Sequence, residues 1–216
     1  MQAPLSLKIS EIFLSLQGES SRVGLPTVFV RLTGCPLRCR WCDTAYAFSG
    51  GQHRSLTSIV DEVATFQTRQ VCVTGGEPLA QAACLDLLRM LCDAGFSVSL
   101  ETSGALAIDA VDARVARVVD FKAPGSGEQA RNFWPNLDVL TASDEIKFVL
   151  QDRADYEWAR ILIAERQLAQ VCPLLFSPVA GELSASMLAD WILADRLPVR
   201  LQVQLHKLLW GNMRGK

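Results

Sequence analysis

The sequence predicts an α/β fold, a mainly parallel sheet curled into a pared-down, partial (β/α) barrel. Two observations carry that prediction. Strand-like apolar runs alternate with amphipathic helical stretches at intervals of roughly 20 to 30 residues, as βα units require. Several short segments rich in glycine, cysteine, proline or charge each follow a predicted strand directly. In a barrel-like parallel sheet, functional residues gather at the carboxyl ends of the strands.

The elements follow in order. Lys8–Phe13 alternates polar and apolar residues, as a half-buried strand does, and leads into the polar loop Leu16-Gln17-Gly18-Glu19-Ser20-Ser21. After Pro26, the β-branched run Thr27–Leu32 forms a second strand and delivers the chain into the loop Thr33–Thr44. Gly50-Gly51 then breaks the pattern. Thr57 or Ser58 caps a helix whose apolar positions are Ile59, Val60, Val63 and Ala64. Gln70–Thr74 is a buried strand that stops at Gly75-Gly76-Glu77-Pro78, where glycine lets backbone approach a ligand. A helix carrying Leu85, Leu88, Met90 and Leu91 ends at Gly95.

Phe96–Glu101 is the next strand and runs into Thr102-Ser103-Gly104. Val118–Lys122 is closed by Ala123-Pro124-Gly125-Ser126-Gly127, and Asp144–Leu150 continues the series. A helix from Arg153 to about Ala169 precedes the strand Leu174–Ser177. Ser184 caps a helix through Asp195, and Val199–Val203 is the last strand. No internal repeat or linker interrupts this order, which predicts a single domain over 1–216.

Composition narrows the function classes. The 21 basic and 23 acidic side chains leave a net charge of −2, which argues against a broad nucleic-acid surface. No apolar run reaches the roughly 18 residues of a membrane span. Met1–Lys8 lacks the basic start and apolar core of a secretory leader. Three of the seven cysteines sit in one loop, a usage that predicts a reducing, cytoplasmic setting. The remaining four, Cys72, Cys84, Cys92 and Cys172, read as small buried hydrophobes.

The chemistry concentrates at Cys35, Cys39 and Cys42, spaced C-x3-C-x2-C. Four-iron clusters are normally held by four cysteinates. Three thiolates leave one iron with an open position, and open coordination goes with reactivity, because structural sites close their shell. A zinc site would want paired C-x2-C knuckles with further cysteine or histidine, and His53 and His206 have no such partner nearby in sequence. Other residues read two ways. Arg31, charged within an apolar strand, faces solvent or binds an anion. Thr44 is a turn residue or a metal ligand, Asp43 caps its loop or meets a ligand, and His206 is packed or functional.

The cysteine spacing, with Trp41 just before the last cysteine, resembles the radical S-adenosylmethionine (SAM) superfamily. Gly75-Gly76-Glu77-Pro78 looks like the element whose backbone meets the methionine amino group of SAM. Leu16-Gln17-Gly18-Glu19-Ser20, taken with Gly34-Cys35 and Cys42-Asp43-Thr44, resembles the 7-carboxy-7-deazaguanine synthase family more narrowly. That resemblance runs from about Ile9 to Lys207 and is densest from Ile12 to Thr44.

The resemblance implies a lyase of queuosine (7-deazapurine) biosynthesis, a tRNA modification pathway. It would convert 6-carboxy-5,6,7,8-tetrahydropterin to 7-carboxy-7-deazaguanine with loss of ammonia. Cys35, Cys39 and Cys42 would hold a 4Fe–4S cluster whose reduced form cleaves SAM to a 5′-deoxyadenosyl radical. Trp41, Cys42, Asp43, Gly76 and Lys122 match positions against SAM. Leu16, Gln17, Gly18, Arg31, Thr74, Glu101 and His206 match positions around the pterin, and Thr44 matches a Mg2+ ligand. A homodimer and an electron donor of flavodoxin or ferredoxin type are implied as well.

The sequence departs from the family in two places. Leu208–Lys216 overruns the shorter tail of some members, so a terminal carboxylate contact does not carry over, and Ser103 stands where asparagine is common. A chain of 216 residues is also short for a complete six-stranded barrel with all its helices. Three alternatives stand beside the lyase. A glycyl-radical activase shares the cysteine spacing, an electron-transfer module would hold the cluster without SAM, and a zinc-binding interaction domain would hold neither.

Overall fold

The computed structural model describes residues 5–211 and 213–216. Met1–Pro4, half of the segment scanned for a leader, and Asn212 in the overrunning tail lie outside the described residues. Nine strands form one sheet in the order β3-β1-β2-β4-β5-β6-β7-β8-β9. They are β1 (Ser6–Leu16), β2 (Pro26–Leu32), β3 (Gln52–Ser55), β4 (Gln70–Gly75), β5 (Ser97–Thr102), β6 (Ala116–Asp120), β7 (Glu145–Leu150), β8 (Leu174–Pro178) and β9 (Arg200–Leu201). From β2 onward every neighbouring pair is parallel. β1 is antiparallel to both β2 and β3.

The sheet does not close into a barrel, because β3 and β9 end it as separate edges. The chain is pared down in helices rather than strands. α1 (Leu56–Thr65), α2 (Cys84–Asp93), α3 (Arg153–Glu165) and α4 (Ala185–Asp195) cover the sheet, while only 3-10 turns and irregular chain span the β5–β6 and β6–β7 crossovers. Residues 97–102 and 116–120 stay parallel across a connection with no α-helix. Asn136 stands in for one there: it accepts from Ile108 N and donates to Gly104 O and Leu106 O. The sheet and its helices share one apolar core containing Val30, Val73, Leu100, Phe121, Phe148 and Phe176.

Several boundaries differ from the sequence reading. The cap of α1 is Ser55, whose Oγ accepts from Ser58 N at 3.2 Å, rather than Thr57 or Ser58. Ser184 caps α4 as expected, and Gly95, at φ 84°, follows the end of α2. α3 stops at Glu165 because Gln167 adopts φ 52°, so the stretch to Ala169 turns off as a 3-10 segment. β1 has eleven residues where six were expected: Ser6 and Leu7 are added by pairing with β3, a polar edge strand with no alternation to betray it, and Leu14–Leu16 by pairing with β2. The predicted strand Val199–Val203 shrinks to Arg200–Leu201. The short helix α5 (Leu205–Trp210) escaped notice because Leu208 and Leu209 are exposed and give no buried face. Of the four non-loop cysteines, Cys72, Cys84 and Cys172 are buried, whereas Cys92 is only partly so. Among the described residues, no helix is long and apolar enough to cross a membrane.

Candidate active site

Parallel strands deliver their C-terminal loops to one edge of the sheet, and there the structure opens a cavity of about 770 Å³. Every residue matched to the cluster, SAM, the pterin or Mg2+ lines it: Cys35, Cys39, Cys42, Trp41, Asp43 and Thr44 from the loop after β2, Thr74 from β4, Gly76 just beyond β4, and Glu101 from β5. Lys122 follows β6, Leu16, Gln17 and Gly18 end β1, Arg31 projects from β2, and His206 comes from α5.

The cysteine loop is clamped from two sides. Gly34 N donates to Ala47 O at 2.8 Å, and Glu77 N donates to Gly34 O at 2.7 Å, so the loop after β4 backs the loop after β2. On the other flank, Arg40 N donates to Ser126 O and Arg38 N to the Glu128 carboxylate at 2.6 Å. Gly76 allows the first clamp, because a Cβ there would overlap Gly34 O and stand 2.8 Å from Cys35 Cβ. Glu77 is fully buried. It accepts from Thr102 Oγ1 at 2.9 Å and from both the backbone N and the hydroxyl of Ser103, at 2.7 and 2.5 Å. The hydroxyl of Ser103, one of the departures from the family, is therefore spent on tying β5 to β4.

Burial dominates the thiol chemistry. It pushes Cys39 up to about 11, with nearby Lys122 opposing, and it raises Cys35 as well. Thiolate ligation must therefore displace protons, which makes loading pH-dependent. Among the described residues, no three His, Cys, Asp or Glu side chains converge as a single metal ion requires. A four-iron cube makes no such demand, since each thiolate meets a different corner. The donor set is three sulfurs around one cavity and suits that cube with one corner left open. Thr44 precedes a 3-10 turn but makes no side-chain cap, and its Oγ1 lies 3.7 Å from Cys42 Sγ. Its hydroxyl is not consumed by the turn.

In the same lining, Glu101 accepts from Gln17 Nε2 at 3.1 Å and from Thr74 Oγ1 at 3.0 Å, which joins three strand ends. Gly18 packs so closely on His206 that a Cβ would collide with Nδ1, and Gly18 O accepts from Leu205 N at 3.0 Å. Burial lowers the pKa of His206, only partly offset by the charges of Glu19 and Asp43, so the ring is neutral at pH 7. Asp43 pairs with Lys207 at 2.8 Å, which outweighs its burial and keeps it ionised. Arg31 does not face solvent. It is 13% exposed and donates from Nε to Glu11 at 2.8 Å.

The sequence reading missed a second row of charges: Glu19, Asp120 and Lys147. Lys147 ion-pairs with Glu19 and lies 3.8 Å from Asp120, which bridges to Lys122 at 3.0 Å. Gln204 Nε2 adds a donor to Glu19 at 2.6 Å, while Asp120 Oδ1 is buried without a partner. A charge set into an apolar parallel strand was the signal available: Asp120 ends Val118-Val119-Asp120, and Lys147 interrupts Ile146-Lys147-Phe148. Burial acts against Glu19's charge, but Lys147 outweighs it and holds the carboxyl below its ordinary 4.5. Its stabilising contribution is complete above pH 4.5 and lost as pH falls through the folded value. Lys147 is raised above 10.5 against burial by the same partners, so its share persists below that pH and is lost only in strong alkali. Lys147→Met is expected to cost roughly 3–5 kcal/mol, because it leaves the buried Glu19 carboxylate without its counter-charge. Chemical denaturation measures this, and an unchanged midpoint would contradict the network.

The Radical SAM superfamily profile matches residues 29–167. A 7-carboxy-7-deazaguanine synthase of Chlorobaculum tepidum is 46% identical, with 100% of both chains covered. One from Koribacter versatilis is 44% identical over 94% of this chain and 97% of its own. The crystal structure of QueE from Escherichia coli matches with a TM-score of 0.73 at 25% identity, covering 93% of this chain and 95% of that one. These relatives do not favour the glycyl-radical activase. The chain belongs to the radical SAM superfamily and, within it, to the 7-carboxy-7-deazaguanine synthase family.

Proposed function

We propose that the cavity holds SAM and 6-carboxy-5,6,7,8-tetrahydropterin side by side, and that the chain converts the pterin to 7-carboxy-7-deazaguanine with loss of ammonia. The observation that carries this is one cavity lined both by three thiols and by the hydrogen-bonded Gln17–Glu101–Thr74 group. Cys35, Cys39 and Cys42 would hold the 4Fe–4S cluster and leave one iron for SAM. With SAM bound, the reduced cluster supplies a 5′-deoxyadenosyl radical.

The chain's own residues orient and enclose. Trp41, Cys42 and Asp43 flank SAM on the loop side. Gly76 offers backbone where any side chain would obstruct, and Lys122 offers a cation held by Asp120. Arg31 presents a planar fork to the substrate carboxylate. Each Glu101 oxygen already accepts one hydrogen bond and keeps a lone pair for an amino-pyrimidine N–H. Leu16, Gln17 and Gly18 contribute to the lining, neutral His206 stands beside Gly18, and the stacked rings of Phe13 and Phe29, 5.2 Å apart, add a flat apolar surface. Thr44 would give Mg2+ one oxygen, the substrate carboxylate and water supplying the rest.

The whole chain acts as one domain, as a homodimer, in the reducing cytoplasm, without contact to nucleic acid or membrane. Exposed Arg38 and Arg40 on the cysteine loop suit an acidic electron donor of flavodoxin or ferredoxin type. Pterin deuterated at C6 tests the chemistry: label appearing in 5′-deoxyadenosine supports hydrogen abstraction there, and unlabelled deoxyadenosine contradicts it. Thr44→Ala is expected to raise the Mg2+ concentration for half-maximal rate by about tenfold, the loss of one good ligand contact. An unchanged magnesium titration would remove Thr44 as ligand.

A further inference from the structure

Beyond α5, Gly211 and Met213–Lys216 help to line the cavity. Arg214 anchors this segment. Its Nε donates to Glu11 Oε2 at 3.0 Å, and its guanidinium lies 4.2 Å from the centre of the Tyr46 ring. The other oxygen of Glu11 accepts from Arg31 Nε at 2.8 Å and from the Tyr46 hydroxyl at 2.7 Å. Register in the β1–β2 hairpin sets Glu11 opposite Arg31, so their pairing is built into the sheet.

One carboxylate therefore serves two guanidiniums, and the group keeps a net positive charge. Burial alone would raise the Glu11 carboxyl, but hydrogen bonds from Tyr46, Arg214 and Arg31 outweigh it and keep the group ionised. Without Arg214, both Glu11 oxygens could take the Arg31 fork in the bidentate geometry that carboxylate and guanidinium favour. That closed pair would carry no net charge toward the cavity. With Arg214 in place, Oε2 is held elsewhere and Arg31 engages only through Nε. Among the described residues, its two terminal nitrogens make no hydrogen bond.

The geometry points to Arg214 as a positioning residue for the anionic substrate: by holding Glu11 off Arg31, it keeps the Arg31 fork open and the site cationic. This rests on the reading that Arg31 binds the substrate carboxylate. The part of the tail that overruns shorter relatives would then act on selectivity through Glu11.

Equilibrium binding to the anaerobic, SAM-loaded holoenzyme without reductant tests this, using 6-carboxytetrahydropterin and tetrahydropterin, which lacks the carboxylate. Arg214→Ala is expected to weaken the carboxylated ligand by about tenfold and the other by less than about twofold, as loss of a local charge preference does. Arg214→Lys restores most of the affinity. Adding Glu11→Gln to Arg214→Ala also restores it, because a neutral amide cannot neutralise Arg31. Equal weakening of both ligands by Arg214→Ala would overturn the inference in favour of a simple lid, and failure of Glu11→Gln to rescue would overturn it in favour of direct contact. Arg31→Ala separates the two layers. If it abolishes the preference for the carboxylated ligand while Arg214→Ala leaves that preference intact, only the inference falls; if Arg31→Ala keeps the preference, the underlying reading falls.

Discussion

Cys39→Ala is expected to purify without an intact four-iron cluster and to produce no deazaguanine above background. Three thiolates are the fewest that hold a cube while leaving one corner open, and the cavity offers no spare thiol. The other four cysteines lie outside its lining, and among the described residues no alternative His, Cys, Asp or Glu group gathers. Cys39 is also the thiol pushed up to about 11, chiefly by burial, with Lys122 opposing. Cluster loading must deprotonate it, so assembly should improve from mildly acidic to mildly alkaline conditions. Iron and sulfide analysis with the visible absorption spectrum measures the outcome. A full cluster in Cys39→Ala would end the three-thiolate account.

Gly76→Ala is expected to leave a folded protein whose activity falls by more than about a hundredfold, since roughly 1 Å of misplacement at a reacting centre costs about that much. The added methyl would overlap Gly34 O and stand 2.7 Å from Gly34 C and 2.8 Å from Cys35 Cβ. It also sits beside the bond from Glu77 N to Gly34 O that clamps the loop after β4 to the cysteine loop. Neither partner can give way cheaply. Gly34 holds φ 98°, and Glu77 is fixed by Thr102 and Ser103. Steady-state turnover with a check of cluster content decides the case, and near-normal turnover would show that the two loops are not rigidly coupled.

The sequence made the sheet legible where burial leaves a pattern. Val71-Cys72-Val73, Val118-Val119 and Phe148-Val149-Leu150 are apolar runs because parallel strands are covered on both faces. β3 and α5 were not legible, because Gln52–Ser55 is a polar edge and Leu208 and Leu209 bury nothing. α3 overran in the reading because only a backbone turn at Gln167, which leaves no mark on hydrophobic spacing, ends the run. The cavity wall nearest the cysteines was legible through glycine and thiol spacing. The charges Glu19, Asp120 and Lys147 that surround Lys122 were not, since Glu19 and Lys147 are 128 residues apart and meet only when the parallel strands align. Arg31 turned inward for a related reason, its partner Glu11 lying across the hairpin.

The central claim is that one cavity joins cluster, SAM and pterin for a single reaction. Its most direct test is anaerobic reconstitution with iron and sulfide, followed by SAM, Mg2+, a one-electron reductant and 6-carboxytetrahydropterin, with products followed by mass spectrometry. The account predicts 7-carboxy-7-deazaguanine and ammonia, with many product molecules formed per protein. An intact cluster that cleaves SAM yet yields no deazaguanine from this pterin would contradict it.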